Sequence, residues 1–184
     1  RRIEPGTRIK DLVICQDIAP TLIQLAGGKP GPQIQGRSLL PLFAGKRAGW
    51  RKSFLVEYWA ENAMPWLVGM TYKCVRTERY KYIRNFYPQR PHLQPNAYKD
   101  AKEVVQRLRD LHAQGKLPAL AEKLLFAPTR PEEELYNAQA DPHETRNLAA
   151  DPKFKKTLVQ MRERLNRWME QTNDRGRQGE PTAM

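Results

Sequence analysis

The run ELYNAQADPHETRNLAADP, residues 134–152, constrains this chain more than any other stretch. Leu135 and Tyr136 sit in a strand end, Asp141-Pro142 and Asp151-Pro152 supply two acidic turns, and an amphipathic segment starts directly behind the second turn. Asp is a good helix cap, and Pro is tolerated in the first helical turn because its missing N–H has no partner there anyway. Phe154, Leu158, Met161, Leu165 and Trp168 then recur at helical spacing, which predicts a helix over 152–171 with a complete apolar stripe. Arg162, Arg164 and Arg167 lie on the same helix, but Glu163 and Glu170 interleave with them. The pattern therefore favours a core-packing helix over one that binds nucleic acid.

Upstream, DLVIC (residues 11–15) is long enough for a buried strand end. Asp17 precedes Ile18, Ala19 and Pro20 and predicts an Asp-capped helix over 17–26, with Gly27-Gly28 as its left-handed stop. GRSLLPLFAG (36–45) is a compact apolar segment that has to be packed. Composition shifts near 45–49, after which SFLVEYW (53–59) reads as a strand and 66–76 with 79–85 as a hairpin. In its second arm Tyr80 and Tyr82 share one face, with Lys81 and Ile83 on the other. Pro88, Pro91 and Pro95 break regular structure. Asn96 is placed to cap a helix carrying Ala101, Val104, Val105, Leu108 and Leu111 on one stripe and ended by Gly115. Pro118 opens a shorter helix to about Phe126, and 174–184 reads as a frayed tail.

The formal charge of +12 is unevenly spread. Residues 46–90 hold ten Lys or Arg against three Glu, whereas 91–140 hold seven of each sign. Such a patch suits polyanions such as nucleic acid, anionic lipid or sulfated and phosphorylated sugars, and equally a solvated basic surface. No apolar stretch approaches the ~20 residues that span a bilayer. Cys15 and Cys74 cannot make a disulfide framework, and both read as small buried apolar residues. The start without Met, followed by a strand within a dozen residues, predicts a cut inside a longer protein.

Four segments, in order, resemble type I sulfatases. GTRIKDLVICQDIAPTLIQLAG (6–27) is similar to the element ending D-I-A-P-T-L-L-x-L-A-G; GRSLLPLFAG to G-R-S-L-L-P-L-L-x-G; CVRTERYKYIRN (74–85) to A-V-R-T-x-x-Y-K-Y-I; and the opening run to E-L-Y-D/N followed by D-P-x-E-x-x-N-L-A. The stretch D-P-H-E-T-R-N-L-A-A-D-P-K-F, with Leu165 and Trp168 behind it, most resembles sulfamidase-like members, which act on N-sulfated glucosamine.

The resemblance implies an α/β, alkaline-phosphatase-like fold. Residues 1–45 would close the large α/β domain. Residues 46–173 would form the smaller C-terminal α+β domain, with an antiparallel sheet, a packed C-terminal helix and a helical insertion at about 88–130; 174–184 would be tail. It implies hydrolysis of sulfate esters or sulfamates on sulfated sugars, and a location in periplasm, lysosome or outside the cell. Family members attack sulfur with a formylglycine made from Cys or Ser in C/S-x-P/A-x-R, beside a calcium ion held by Asp and Asn oxygens. Neither Cys15 (C-Q-D-I-A) nor Cys74 (C-V-R-T-E) fits that motif. In family order the nucleophile and metal ligands lie upstream, so this chain is expected to hold no catalytic residue and no metal ligand, and to be inactive alone, with the N-terminal catalytic portion as its partner.

Substrate contact is the role left to it. The aromatic loop after the first strand offers Glu57, Trp59, Glu61 and Trp66, and the following excursion offers Arg84, Arg90 and His92 for anionic groups of a glycan. The same tryptophans equally suit packing of the sheet. Two other functions compete: a phosphonate or phosphodiester hydrolase of the same superfamily, and a non-catalytic polyanion-binding module built on residues 46–90. The latter explains none of the four motifs.

Overall fold

The computed structural model describes residues 3, 5–58, 72–95 and 97–174. They cluster into two compact units, 1–54 and 55–184.

In the first unit a 3-10 turn, Cys15–Asp17, leads into helix α1, Ile18–Leu25, and then a short helix α2, Leu40–Phe43. Gly27, at φ 84°, takes the left-handed position that stops α1 as expected. The expected Asp17 cap does not form: its side chain makes no capping bond to α1. It turns backwards instead. Its carboxylate accepts the N–H of Ile14 at 2.9 Å and of Arg37 at 2.8 Å, and it is gripped by both terminal nitrogens of Arg51, Nη2 at 2.6 Å. Asp17 is wholly buried, and a buried carboxylate has to be paired and hydrogen-bonded on every side. The chain also closes tightly here, for a Cβ on Gly36 would stand 1.8 Å from the Gln16 carbonyl oxygen. Cys15, expected inside, is exposed, because the residues that fold inward at this turn are Asp17, Pro20 and Thr21.

The second unit is built on a four-stranded sheet in the order β1 (Ser53–Tyr58), β2 (Tyr72–Thr77), β3 (Tyr80–Asn85), β4 (Glu133–Asn137). The β2–β3 and β3–β4 pairs are antiparallel, with Val75 opposite Tyr82 and Tyr82 opposite Leu135. Strand alternation sends this trio to one face, where Leu148, Leu158, Met161 and Leu165 complete the core. The last three come from α6, Lys155–Thr172, so the apolar stripe lies against the sheet as its periodicity requires. A 3-10 turn, Pro152–Phe154, starts this helix, with Asp151 Oδ1 accepting the Lys153 N–H at 3.0 Å; Asn173 ends it in the left-handed conformation.

Between β3 and β4 the excursion carries α3 (Ala97–Asp100), α4 (Glu103–Ala113) and α5 (Ala119–Ala121), the last running into one π-helical turn, Glu122–Phe126. The single helix expected here is broken at 101–102, and α4 buries none of its residues; Val104 is 67% exposed. Val105, Leu108 and Leu111 of the apolar stripe are half-buried while Ala101 and Val104 are exposed, so the spacing marks the inner side of α4 without fully burying it. The excursion is instead anchored at its ends. The Asn85 N–H bonds to the Glu132 carbonyl at 2.9 Å, and the Arg130 N–H bonds to the Pro88 carbonyl at 2.7 Å.

The signature run proves to be a joint. Asp141 accepts the Arg146 N–H, and Asn147 Oδ1 accepts the N–H groups of Leu135 and Ala149 while its amide donates to the Glu133 carbonyl. Asn147 thus fastens β4 to the approach of α6. Asn147→Ala is expected to lower stability by about 1–3 kcal/mol, since two backbone N–H groups lose their acceptor; urea unfolding checks this, and an unchanged midpoint would refute the joint.

Candidate functional site

The two sheet faces have different chemistry. On the α6 face charged side chains are paired to the helix. Glu133 receives Arg162 through two bonds of 2.6 Å and the Tyr82 hydroxyl through a third. The bonds from Arg162 hold the Glu133 carboxyl below its usual range against its partial burial. Lys73 is buried, paired with Asp174, and stands 5.3 Å over the Trp168 ring. These groups are consumed by packing.

The opposite face is open. Tyr72 of β2, Lys81, Ile83 and Asn85 of β3, and Glu134 and Tyr136 of β4 floor a cavity of about 370 Å³. Its walls are His92, the segment Lys123–Leu125, Thr129, Arg130 and Pro131 from the excursion, and His143–Thr145 with Asn147 from the signature turn. Glu134 is fixed on both oxygens: Asn85 donates to one at 2.6 Å and the Tyr136 hydroxyl donates to the other. Burial and this bond to Glu134 push the Tyr136 phenol far above its usual range, so it remains a neutral donor. Lys81 pairs with Glu144, the one residue of that turn held at positive φ (55°).

Arg130 is the most unusual group in the wall. It is 7% exposed, and it donates from Nε to the Arg90 carbonyl at 3.2 Å and from Nη2 to the Tyr87 carbonyl at 3.1 Å. Its Nη1 has no hydrogen-bond partner among the described residues. Burial lowers its pKa, opposed by the charge of Glu134. Beside it, His92 is also shifted down, first because protein atoms crowd the ring, although water still reaches it, and then because Arg130 repels a second positive charge. His92 is therefore a neutral imidazole at pH 7.

The candidate substrate residues separate. His92 lines the cavity, whereas Arg84 points to the other face, bonding Asn166 at 3.0 Å. The Arg90 guanidinium stacks 5.4 Å from the Tyr87 ring centre, and its carbonyl anchors Arg130. Glu57 lies on β1, and its side chain, with Trp59, Glu61 and Trp66, falls outside the described residues. Arg130 escaped sequence reasoning because a lone charge between Pro128 and Pro131 has no periodicity to mark it. Lys81 and Ile83 were legible as a shared face from strand alternation alone. Among the described residues no group of three or more His, Cys, Asp or Glu is arranged to hold a metal ion. Burial pushes the Cys74 thiol up to about 11, which removes its nucleophilic form at neutral pH.

The four-stranded sheet carrying one long C-terminal helix recurs in solved enzymes. The fold matches a solved 2-O GAG sulfatase with a TM-score of 0.56 and 24% identity over 91% of this chain and 27% of that one. It also matches the phosphonate monoester hydrolase of Agrobacterium radiobacter, with a TM-score of 0.55 and 20% identity over 90% and 26%. Identities this low establish the fold alone. The family follows from sequence: residues 1–125 match the model for N-sulphoglucosamine sulphohydrolase, C-terminal, and the chain belongs to that family of sulfatase C-terminal regions. It is 32% identical to an ulvan-active sulfatase of Formosa agariphila over 173 residues, which is 94% of this chain but 28% of that protein's length. The membership expected from the four motifs is borne out.

Proposed function

We propose that this chain is the C-terminal part of a sulfatase that hydrolyses sulfate esters or sulfamates of sulfated carbohydrates, with the nucleophile and the calcium-binding oxygens supplied by sequence upstream of it. The observation that carries the reading is the 32% identity to an ulvan-active sulfatase along nearly the whole chain, joined to the family match. The shared fold of sulfatases and phosphonate hydrolases does not choose between them; the sequence likeness favours the sulfatase.

Residues 1–45 are read as the end of the large domain. Supporting this, Val13, Ile18, Leu22 and Leu25 of the first unit are 39–58% exposed, an apolar run that a larger neighbouring domain would cover. Residues 46–173 are read as the small domain. Glu57, Trp59, Glu61, Trp66, Arg90 and His92 are read as substrate contacts, and Arg84, occupied by Asn166, is left out of this role.

The test is turnover. The purified 184-residue chain is expected to release no sulfate from an aryl sulfate, while the longer protein that contains it does so. In that longer protein, Trp66→Ala and Arg90→Ala are expected to raise KM for a sulfated oligosaccharide and to leave aryl sulfate turnover unchanged. Enzyme-like turnover by the chain alone would overturn the placement of the nucleophile. Unchanged KM in both variants would overturn the contacts.

A further inference from the structure

On the α6 face Lys73 and Glu133 have their counter-charges in hand, yet the cavity on the opposite face holds a buried cation that has none among the described residues. Both described hydrogen-bonded nitrogens of Arg130 go to neutral carbonyls, at Tyr87 and Arg90, and among the described residues it forms no ion pair. The carboxylate whose charge acts on it, Glu134, already has one oxygen committed to Asn85 and the other to Tyr136. A buried guanidinium N–H without a partner is rare enough in folded proteins to require a reason, and an ion bound beside it is one of the few available. Burial raises the energy of a charge that only an opposite charge or several strong acceptors can offset.

We propose that this cavity is an anion-binding site for one acidic sugar unit of a glycan, with Arg130 meeting the sulfate or carboxylate group and the sheet face meeting the ring. The ligand class rests on the sulfated-carbohydrate reading given above; the presence of an anion site rests on Arg130 and the cavity alone. The volume of about 370 Å³ falls inside the range of small-ligand pockets, roughly 300–1,000 Å³. The lining supplies what a sugar acid needs. Arg130 lines the wall with one guanidinium nitrogen, Nη1, unpaired among the described residues, and Lys123 stands exposed as a second cation. His92 offers a neutral imidazole for a hydroxyl, and the half-buried ring of Tyr72 offers apolar surface for the sugar face. The guanidinium is also pre-positioned. Its bonds to Tyr87 and Arg90 hold it in place before a ligand arrives, so little side-chain freedom is left to lose on binding.

Isothermal titration of the 184-residue chain tests this with four probes: N-acetylglucosamine sulfate, glucuronate, neutral N-acetylglucosamine and inorganic sulfate. The two acidic sugars are expected to bind about tenfold or more tightly than the neutral one, with inorganic sulfate competing for the site. Arg130→Gln is expected to lower acidic-sugar affinity about tenfold or more, the usual scale for a charged hydrogen bond. His92→Ala is expected to lower it several-fold. Equal affinity for acidic and neutral sugars, which would mean that water alone satisfies Nη1, overturns the site, as does wild-type affinity in a folded Arg130→Gln chain. If circular dichroism shows that Arg130→Gln does not fold, His92→Ala decides, and unchanged affinity there overturns the site. A longer protein that hydrolyses sulfated sugars while this cavity binds none would leave the proposed activity standing. A cavity that binds acidic sugars in a protein without sulfatase activity would do the reverse.

Discussion

Arg51→Ala is expected to destabilise the first unit by about 3–5 kcal/mol, because it leaves the carboxylate of Asp17 buried without its cation. Asp17 has no exposure and Arg51 only 8%, so water cannot take over the lost bonds. The amides of Ile14 and Arg37, both bonded to Asp17, report the effect directly as lost protection from hydrogen exchange. The pH dependence gives a second signature. Burial alone would raise the Asp17 pKa, but the bonds from Arg51, the N–H groups of Arg37 and Ile14, and the charge of Arg51 outweigh it and hold the carboxyl below its usual range. A depressed native pKa means that the unfolded chain binds more protons near its own value of about 3.9. The contribution of Asp17 is therefore complete above about pH 5 and is lost as pH falls through the native pKa. In Arg51→Ala the bonds and the charge of Arg51 are gone, only the N–H groups of Arg37 and Ile14 still oppose burial, and protonation relieves part of the defect. The gap between variant and wild type is thus expected to narrow as pH drops from 7 to 4. A gap that is constant or widens would refute the pairing as its cause.

Leu165→Ala is expected to lower the stability of the second unit by about 2–5 kcal/mol. Leu165 is wholly buried where α6 meets the sheet, in one cluster with Val75, Tyr82, Leu135 and Met161. Truncation removes the transfer term and leaves a cavity that rigid strands on one side and a helix on the other cannot close. Urea unfolding should show a lower midpoint with an unchanged slope. Val104→Ala, on the exposed face of α4, is the internal control and is expected to stay within about 0.5 kcal/mol. A similar loss at both positions would mean that α4 is packed and that the core is misplaced.

Some of this was legible in advance because the physics is local. Strand alternation placed Tyr80 and Tyr82 opposite Lys81 and Ile83, and the register of β3 keeps them so. The spacing of Leu158, Met161 and Leu165 marked the buried side of α6, and Asp151-Pro152 marked its start. The α4 stripe was fulfilled only in part, for an instructive reason. Val105, Leu108 and Leu111 are half-buried and Val104 is exposed, because periodicity records which side faces inward, not how completely a surface covers it. The Asp17 cap failed for a related reason. Its position before Ile18 fits a cap, yet the carboxylate found stronger partners in the Arg37 N–H, 20 residues away, and in Arg51, 34 residues away.

Family membership, the two faces of the hairpin and the amphipathic last helix were determined by the sequence alone, since motifs, alternation and 3.6-residue periodicity are all properties of a short window. The buried Asp17–Arg51 pair, the use of the signature run as a joint, and the cavity that gathers Arg130, His92 and Lys81 were decided only by the tertiary structure. Each depends on groups brought together across long separations, and the energy of a buried charge is set by the partners that folding supplies rather than by its neighbours in the chain.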